Sequence, residues 1–222
     1  MFKFITNIIE GGYSDLLHFE GFFKASHTSD VSCLDERNGE QLMTHSSIPP
    51  GRLDLGSDDH RDLRLVYKTS TIPKLTRGKV YWSQGAVVGC SRHEMPFLQC
   101  HELECPQANS QSITREIISI TGVGTIVAKI DCQGGFLDLF VKHDVGIRTA
   151  FGDKVIMVKY VVNKSQCGEG VSLLLKPGQR GQFMGVLAGW DRNNGTMVVD
   201  APPATIKTFC KSPASHSVPS TS

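Results

Sequence analysis

The chain has 222 residues, 40% of them hydrophobic and 20% charged, with a formal net charge of +1. That size allows one large domain or two barrels of about 100 residues each, and that composition excludes wholesale disorder. A nearly balanced charge gives no global field to attract nucleic acid or membranes, although it is compatible with a local basic patch.

The opening MFKFITNIIEGGYSD carries a short apolar run that stops before Glu10 and Asp15. It lacks the small-residue cleavage site of a secretory signal, and no later apolar stretch reaches the length of a membrane-spanning helix. Period-two runs of Val, Ile, Leu and Phe, broken by Gly, Asp and Asn, then predict strands almost throughout. In the first half these are residues 2–9, 19–25, 41–44, 63–67 and 79–82. In the second half they are 124–130, 136–141, 154–162, 171–175, 183–188 and 196–200. No segment keeps a helical period, so at most short helices are expected, and no internal repeat stands out. The fold class is therefore all-β, built from barrels or sandwiches.

Two polar stretches read as connections. Ser46–Arg61 contains Pro49-Pro50-Gly51, and residues 105–114 (CPQANSQSIT) suit a linker between barrels. The division expected is an N-terminal barrel over 1–104, that linker, a C-terminal barrel over 115–210, and a Ser/Pro-rich disordered tail over 211–222. Seven cysteines, an odd number at irregular spacing (Cys33, Cys90, Cys100, Cys105, Cys132, Cys167 and Cys210), argue for a reducing compartment with mostly buried thiols. The glycosylation-type triplets at Asn163 and Asn194 are then chance matches.

The segment richest in chemical possibility is Ser165-Gln166-Cys167-Gly168-Glu169-Gly170, followed by Gly185-Val186-Leu187-Ala188-Gly189. A cysteine on a glycine-bearing turn can expose its sulfur while neighbouring backbone N–H groups face a developing oxyanion. This pair of segments resembles the 3C-like cysteine proteases of picorna-like viruses, closest to the plant comovirus and nepovirus type. The resemblance implies a chymotrypsin-like double β-barrel, two antiparallel barrels with the active site in the cleft between them. Cys167 would be the nucleophile, His27 at the end of Phe22-Phe23-Lys24-Ala25-Ser26 the general base, and Asp62 the acid orienting it. His45 is the rival base; Asp58 and Asp59 are rival acids, and Glu94 is a more distant one. Backbone N–H groups of Gln166 and Cys167 would form the oxyanion hole. Leu187, with Gly185 and Gly189 beside it, would line the substrate pocket, and leucine there implies a cleavage-site preference other than glutamine. The resemblance further implies a viral polyprotein as substrate, the host cell cytoplasm as location, and no cofactor.

Two other readings compete. The stretch from Gly124-Thr125-Ile126-Val127 through Phe136-Leu137-Asp138-Leu139-Phe140-Val141-Lys142-His143 to Gly152-Asp153-Lys154-Val155 resembles cold-shock or OB-type barrels. In those, aromatic side chains on a strand pair stack the bases of a single-stranded nucleic acid, RNA included. The second is a zinc site from Cys90, His93, Cys100, His101 and Cys105, whose spacing follows no compact finger pattern and which contains Pro96; the expectation adopted is no metal.

Overall fold

The computed structural model describes residues 16–26, 30–35, 39–48, 53, 59–68, 70, 72, 74–91, 94–104, 117–144, 155–166, 175–191 and 193–208. Side chains at 30–35, 39–41, 59–60, 90–91 and 94 lie outside that description. The described residues form thirteen strands and three 3-10 turns, with no α-helix among them. In the first half the strands are β1 His18–Lys24, β2 Asp30–Asp35, β3 Gly39–Ser47, β4 Asp59–His60, β5 Asp62–Lys68, β6 Val80–Ser91 and β7 Glu94–Glu104. The second half holds β8 Ile118–Asp131, β9 Phe136–Asp144, β10 Val155–Asn163, β11 Arg180–Asp191, β12 Thr196–Asp200 and β13 Lys207–Thr208.

Period two drives the strands. Along β9, Leu137, Leu139, Val141 and His143 are buried while Phe136, Asp138, Phe140 and Lys142 stay partly exposed. One face of each strand is thereby committed to a core and the other to solvent. A single apolar cluster runs from Phe19, Phe23, Leu65 and Leu98 to Ile120, Leu139, Tyr160 and Phe183.

The pairings run in two rings. In the second half β8 pairs β9, β9 pairs β10, β10 pairs β12 in parallel, β12 pairs β11, and β11 returns to β8. In the first half β2 pairs β3, β3 pairs β5, β5 pairs β7 in parallel, β7 pairs β6, and β6 pairs β1. Ala25 and Ser26, just after β1, tie the two ends of that series together. The Ala25 N–H donates to the Lys79 carbonyl at 3.0 Å, and the next N–H, that of Ser26, donates to the His45 carbonyl at 2.8 Å. Counting β1 and β2 together as the first member, both halves follow the order one-two-three-five-four and back to one, with three and five parallel. The expectation of wholly antiparallel barrels is corrected by those two parallel pairs.

The two halves also repeat in sequence once the pairings are aligned, against the expectation of no usable repeat. Leu75, Gly78, Gly85 and Gly89 of the first correspond to Leu175, Gly178, Gly185 and Gly189 of the second. Gly78 and Gly178 have φ of 80° and 84°, and each donates its N–H at 2.7 Å to the first strand of its ring, at Ala25 and Ile126 respectively. Both leucines are buried beside these turns. Both rings shift register at the same place, between Val87 and Gly89 and between Leu187 and Gly189, a bulge that bends the strand round the ring. Strands β2 and β7, which the sequence pattern does not announce, complete the first ring.

The rings are joined through their first strands. Strand β1 pairs antiparallel with β8, His18 opposite Thr121 and Gly21 opposite Ile118, and β4 adds a second seam by pairing with β11. A Cβ at position 21 would lie 2.5 Å from the Ile117 carbonyl oxygen. Gly21→Ala is therefore expected to loosen the β1–β8 seam. Amide exchange at residues 118–121 should rise by at least tenfold while the cores of both rings stay protected, about 1.4 kcal/mol of local opening per tenfold.

Inside the second ring, His143 is fully buried. Its Nδ1 lies 3.0 Å from the Val123 carbonyl and its Nε2 lies 3.1 Å from the Tyr160 hydroxyl, with the Phe183 ring edge-on. Burial lowers its pKa from 6.5 to about 4, and the Val123 contact and Asp144 offset that only partly. Between those values the unfolded chain binds a proton that the folded ring refuses. Stability therefore rises with pH across that window and is lost as pH falls through it, by about 3 kcal/mol in all. Denaturant titrations at about pH 7 and about pH 4.5 should show this loss in the native protein and a smaller one in His143→Gln.

Candidate nucleic-acid interface

The outer surface of each ring over its second and third strands carries one repeated arrangement. In the second ring Phe140 of β9 stands opposite Lys159 of β10. Strand alternation places both on the solvent side, since Leu139, Val141, Val158 and Tyr160 fill the inside. In the first ring His45 of β3 stands opposite Arg64 of β5, with Thr44 and Leu65 buried behind them. Register along the rings makes these positions equivalent. Leu65 and Tyr160 pair in parallel with Leu98 and Val199, which in turn face Val87 and Leu187. A planar ring beside a cation thus recurs at one place in both halves.

The surroundings of the two pairs differ. The Arg64 guanidinium carbon lies 5.0 Å from the centroid of the Phe97 ring, a cation–π contact. Beside it on the same face Val66, Ala86, Val88 and Phe97 form a small, buried apolar cluster against which Met43 packs. In the second ring the corresponding cluster is Val161, Ala188 and Val198, covered by Phe136 and by Leu53 from the first half. Phe136 is therefore partly engaged in packing, and Phe140 is the ring left to the open face. Lys142 follows two residues on, within 3.4 Å of Asp144, and Lys164 holds Asp131 at 2.8 Å.

Two turns bracket Lys159. The field of its ammonium reaches Cys132, at the turn between β8 and β9, and Asp191, at the turn between β11 and β12. Burial raises the Cys132 thiol, reinforced by Asp138, with Lys159 acting against them. For Asp191 burial pulls upward, but hydrogen bonds from Asn194 and Asn193 win and hold the carboxyl below its usual range. The Asn193 and Asn194 N–H groups donate to its Oδ1 at 2.9 and 3.1 Å, closing the turn that ends at Gly195, where φ is 62°. A turn on each side and a ring with a cation between them can stack a base and neutralise a phosphate.

The residues nominated for peptide hydrolysis fall as follows. His27, Asp58 and Cys167 lie outside the described residues, as do the side chains of Asp59 and Glu94. Asp62 is the exposed first residue of β5, paired with Ser47, and Gln166 is exposed at the end of the 3-10 turn Lys164–Gln166. Leu187 is 2% exposed, and its side chain packs among core residues. Gly185 has a packing reason of its own: a Cβ there would sit 2.5 Å from the Asp200 carbonyl oxygen. Gly189 marks the bulge. The Gly185–Gly189 run that resembles a protease wall recurs as Gly85-Ala86-Val87-Val88-Gly89 in the first ring, where β6 meets β7.

Of the zinc candidates, the Cys90 side chain, His93 and Cys105 lie outside the described residues. Cys100 is buried on β7, its thiol pushed up to about 12 by burial despite the nearby Ser83, while His101, next along the strand, is exposed. Among the described residues no group of three His, Cys, Asp or Glu side chains is placed to hold a metal ion. No described helix is long and apolar enough to cross a membrane. The ring–cation pairs are only half visible in the sequence. Phe140 lies within the OB-like stretch, whereas His45 reads there as a rival base and its pairing with Arg64 needs the strand register.

No family model matches the chain, and no curated protein sequence is recognisably similar to it. Solved structures do resemble it. A deletion variant of the single-stranded DNA binding protein from Thermus aquaticus superposes with a TM-score of 0.57 at 8% identity, over 90% of this chain and 98% of that one. The wild-type protein from the same organism gives a TM-score of 0.56 at 10% identity, over 90% of this chain and 95% of that one. At such identities the likeness is one of fold. It agrees with the ring order found here, the five-stranded Greek-key order of OB-type barrels.

Proposed function

We propose that the protein binds single-stranded nucleic acid through the outer face of the second and third strands of each ring. The observation that carries this reading is the repeated pair, His45 with Arg64 and Phe140 with Lys159, on the face that OB-type folds use for oligonucleotides. A ring offers stacking that tolerates any base, and the cation beside it meets the phosphate, so the expected binding is weak in sequence preference and strong in salt dependence. The fold shared with the Thermus aquaticus protein supports the same reading. Fluorescence anisotropy with a labelled thymidine homo-oligomer tests it. Binding should weaken steeply as salt rises and resist competition by duplex DNA of the same length. Duplex competing equally well would defeat the proposal. A thiol peptidase at Cys167 is the competing proposal, and it predicts peptide cleavage by the native protein that Cys167→Ala abolishes.

A further inference from the structure

The rings are related by a half-turn, and this bears on how a directional ligand can occupy them. In the first ring Phe19 faces Gly85, and in the second Ile120 faces Gly185, so Phe19 and Ile120 are equivalent. They are also paired with each other across the seam. On one side of that pair His18 faces Thr121, and on the other Glu20 faces Ser119. Exchanging each residue for its equivalent turns the first pairing into the second. The seam thus maps onto itself, as an isologous contact does about a two-fold axis. The β4–β11 pairing braces this arrangement, so the units do not reorient independently to suit a ligand.

A nucleic-acid strand has a 5′ and a 3′ end, and equivalent sites bind it in equivalent directions. A screw or translation would carry the 3′ exit of one site to the 5′ entrance of the next, giving one continuous track. A half-turn instead exchanges 3′ exit with 3′ exit. One strand filling both sites must leave the first, loop through unbound nucleotides and return to the second, at the cost of closing that loop. Two separate segments meet no such requirement.

We infer that one copy of this protein holds two single-stranded segments at once, bridging separate strands or gathering a long strand into a loop. This rests on the nucleic-acid reading above and goes beyond it: binding alone requires one site, whereas bridging requires both.

The test uses the full chain with two homo-oligomers of about ten nucleotides, a length within the reach of one OB-type unit. One is biotinylated and immobilised, and the other is dye-labelled. The native protein should retain the dye on the surface, and sedimentation should give two oligomers per chain. The double variants His45→Ala with Arg64→Ala, and Phe140→Ala with Lys159→Ala, should each still bind one oligomer while dye retention falls at least tenfold. Binding through the remaining unit shows that each variant is folded. Retention undiminished in the single-unit variants would place bridging in association between chains and overturn the inference, as would one oligomer per native chain. Failure of the native protein to bind any oligomer would instead overturn the nucleic-acid reading itself.

Discussion

Replacing Phe140 by alanine is expected to weaken oligonucleotide binding at the second ring by roughly tenfold to a hundredfold, with little change in unfolding midpoint. The ring lies on the solvent side of β9, so its removal opens no core cavity. Its stacking is worth about 1–3 kcal/mol per base by alanine substitution. Lys159→Ala should behave differently. It removes a charge bracketed by the turns at Cys132 and Asp191, so affinity should fall about equally for all base compositions. The slope of log affinity against log salt should shrink by roughly 0.7, the share of one phosphate on a single strand. Anisotropy titrations of each variant across a range of salt separate the two roles. A salt slope altered by Phe140→Ala and unaltered by Lys159→Ala would reverse the assignment.

The second large effect is on folding. A methyl group at position 85 would run into the Gln99 carbonyl oxygen and press on the Phe19 ring, where β6 meets both β7 and β1. Backbone cannot yield there without opening the first ring, so Gly85→Ala should cost more than about 4 kcal/mol or prevent folding. Gly185→Ala should do likewise through Asp200 and Val199. Gly178→Ala is the contrast. That glycine has open space around it and only a positive φ to satisfy, so about 1–2 kcal/mol is expected. Thermal unfolding of the three variants checks the order, and similar midpoints for all three would refute the close-approach explanation.

Those glycines also show what is legible in the sequence and what it conceals. Strands β9, β10 and β12 are readable because each alternates clearly or is a clean β-branched run, with Gly or Asn at its ends. The pattern predicts that β6 stops near Trp82, because Gly85-Ala86-Val87-Val88-Gly89 offers little alternation. Its small residues are there because β7 and β1 press close on both sides. Strand β7 is hidden behind Cys100, His101 and Pro96, residues that suggest a metal loop. On the strand, Cys100 is buried while His101 is exposed.

The repeat is hard to see for a related reason. What recurs between the rings is backbone geometry: a turn at Gly78 and Gly178, a close approach at Gly85 and Gly185, a bulge at Gly89 and Gly189. Core side chains are free to differ as long as each ring stays filled, so Leu65 in one ring answers to Tyr160 in the other, with His143 for a partner. The functional pair differs in the same way, His45 with Arg64 against Phe140 with Lys159. A comparison of residue identities sees no match there. Only the strand register shows that a flat ring and a cation occupy the same place twice.

Photocrosslinking tests the central claim most directly. A single-stranded oligomer carrying a halogenated uracil is bound, irradiated, and the crosslinked peptides are identified by mass spectrometry. Crosslinks on the strands bearing Phe140 and His45, in β9 and β3, are the predicted result. Crosslinks confined to other surfaces, or a protein that binds no single strand while cleaving peptides through Cys167, would contradict it.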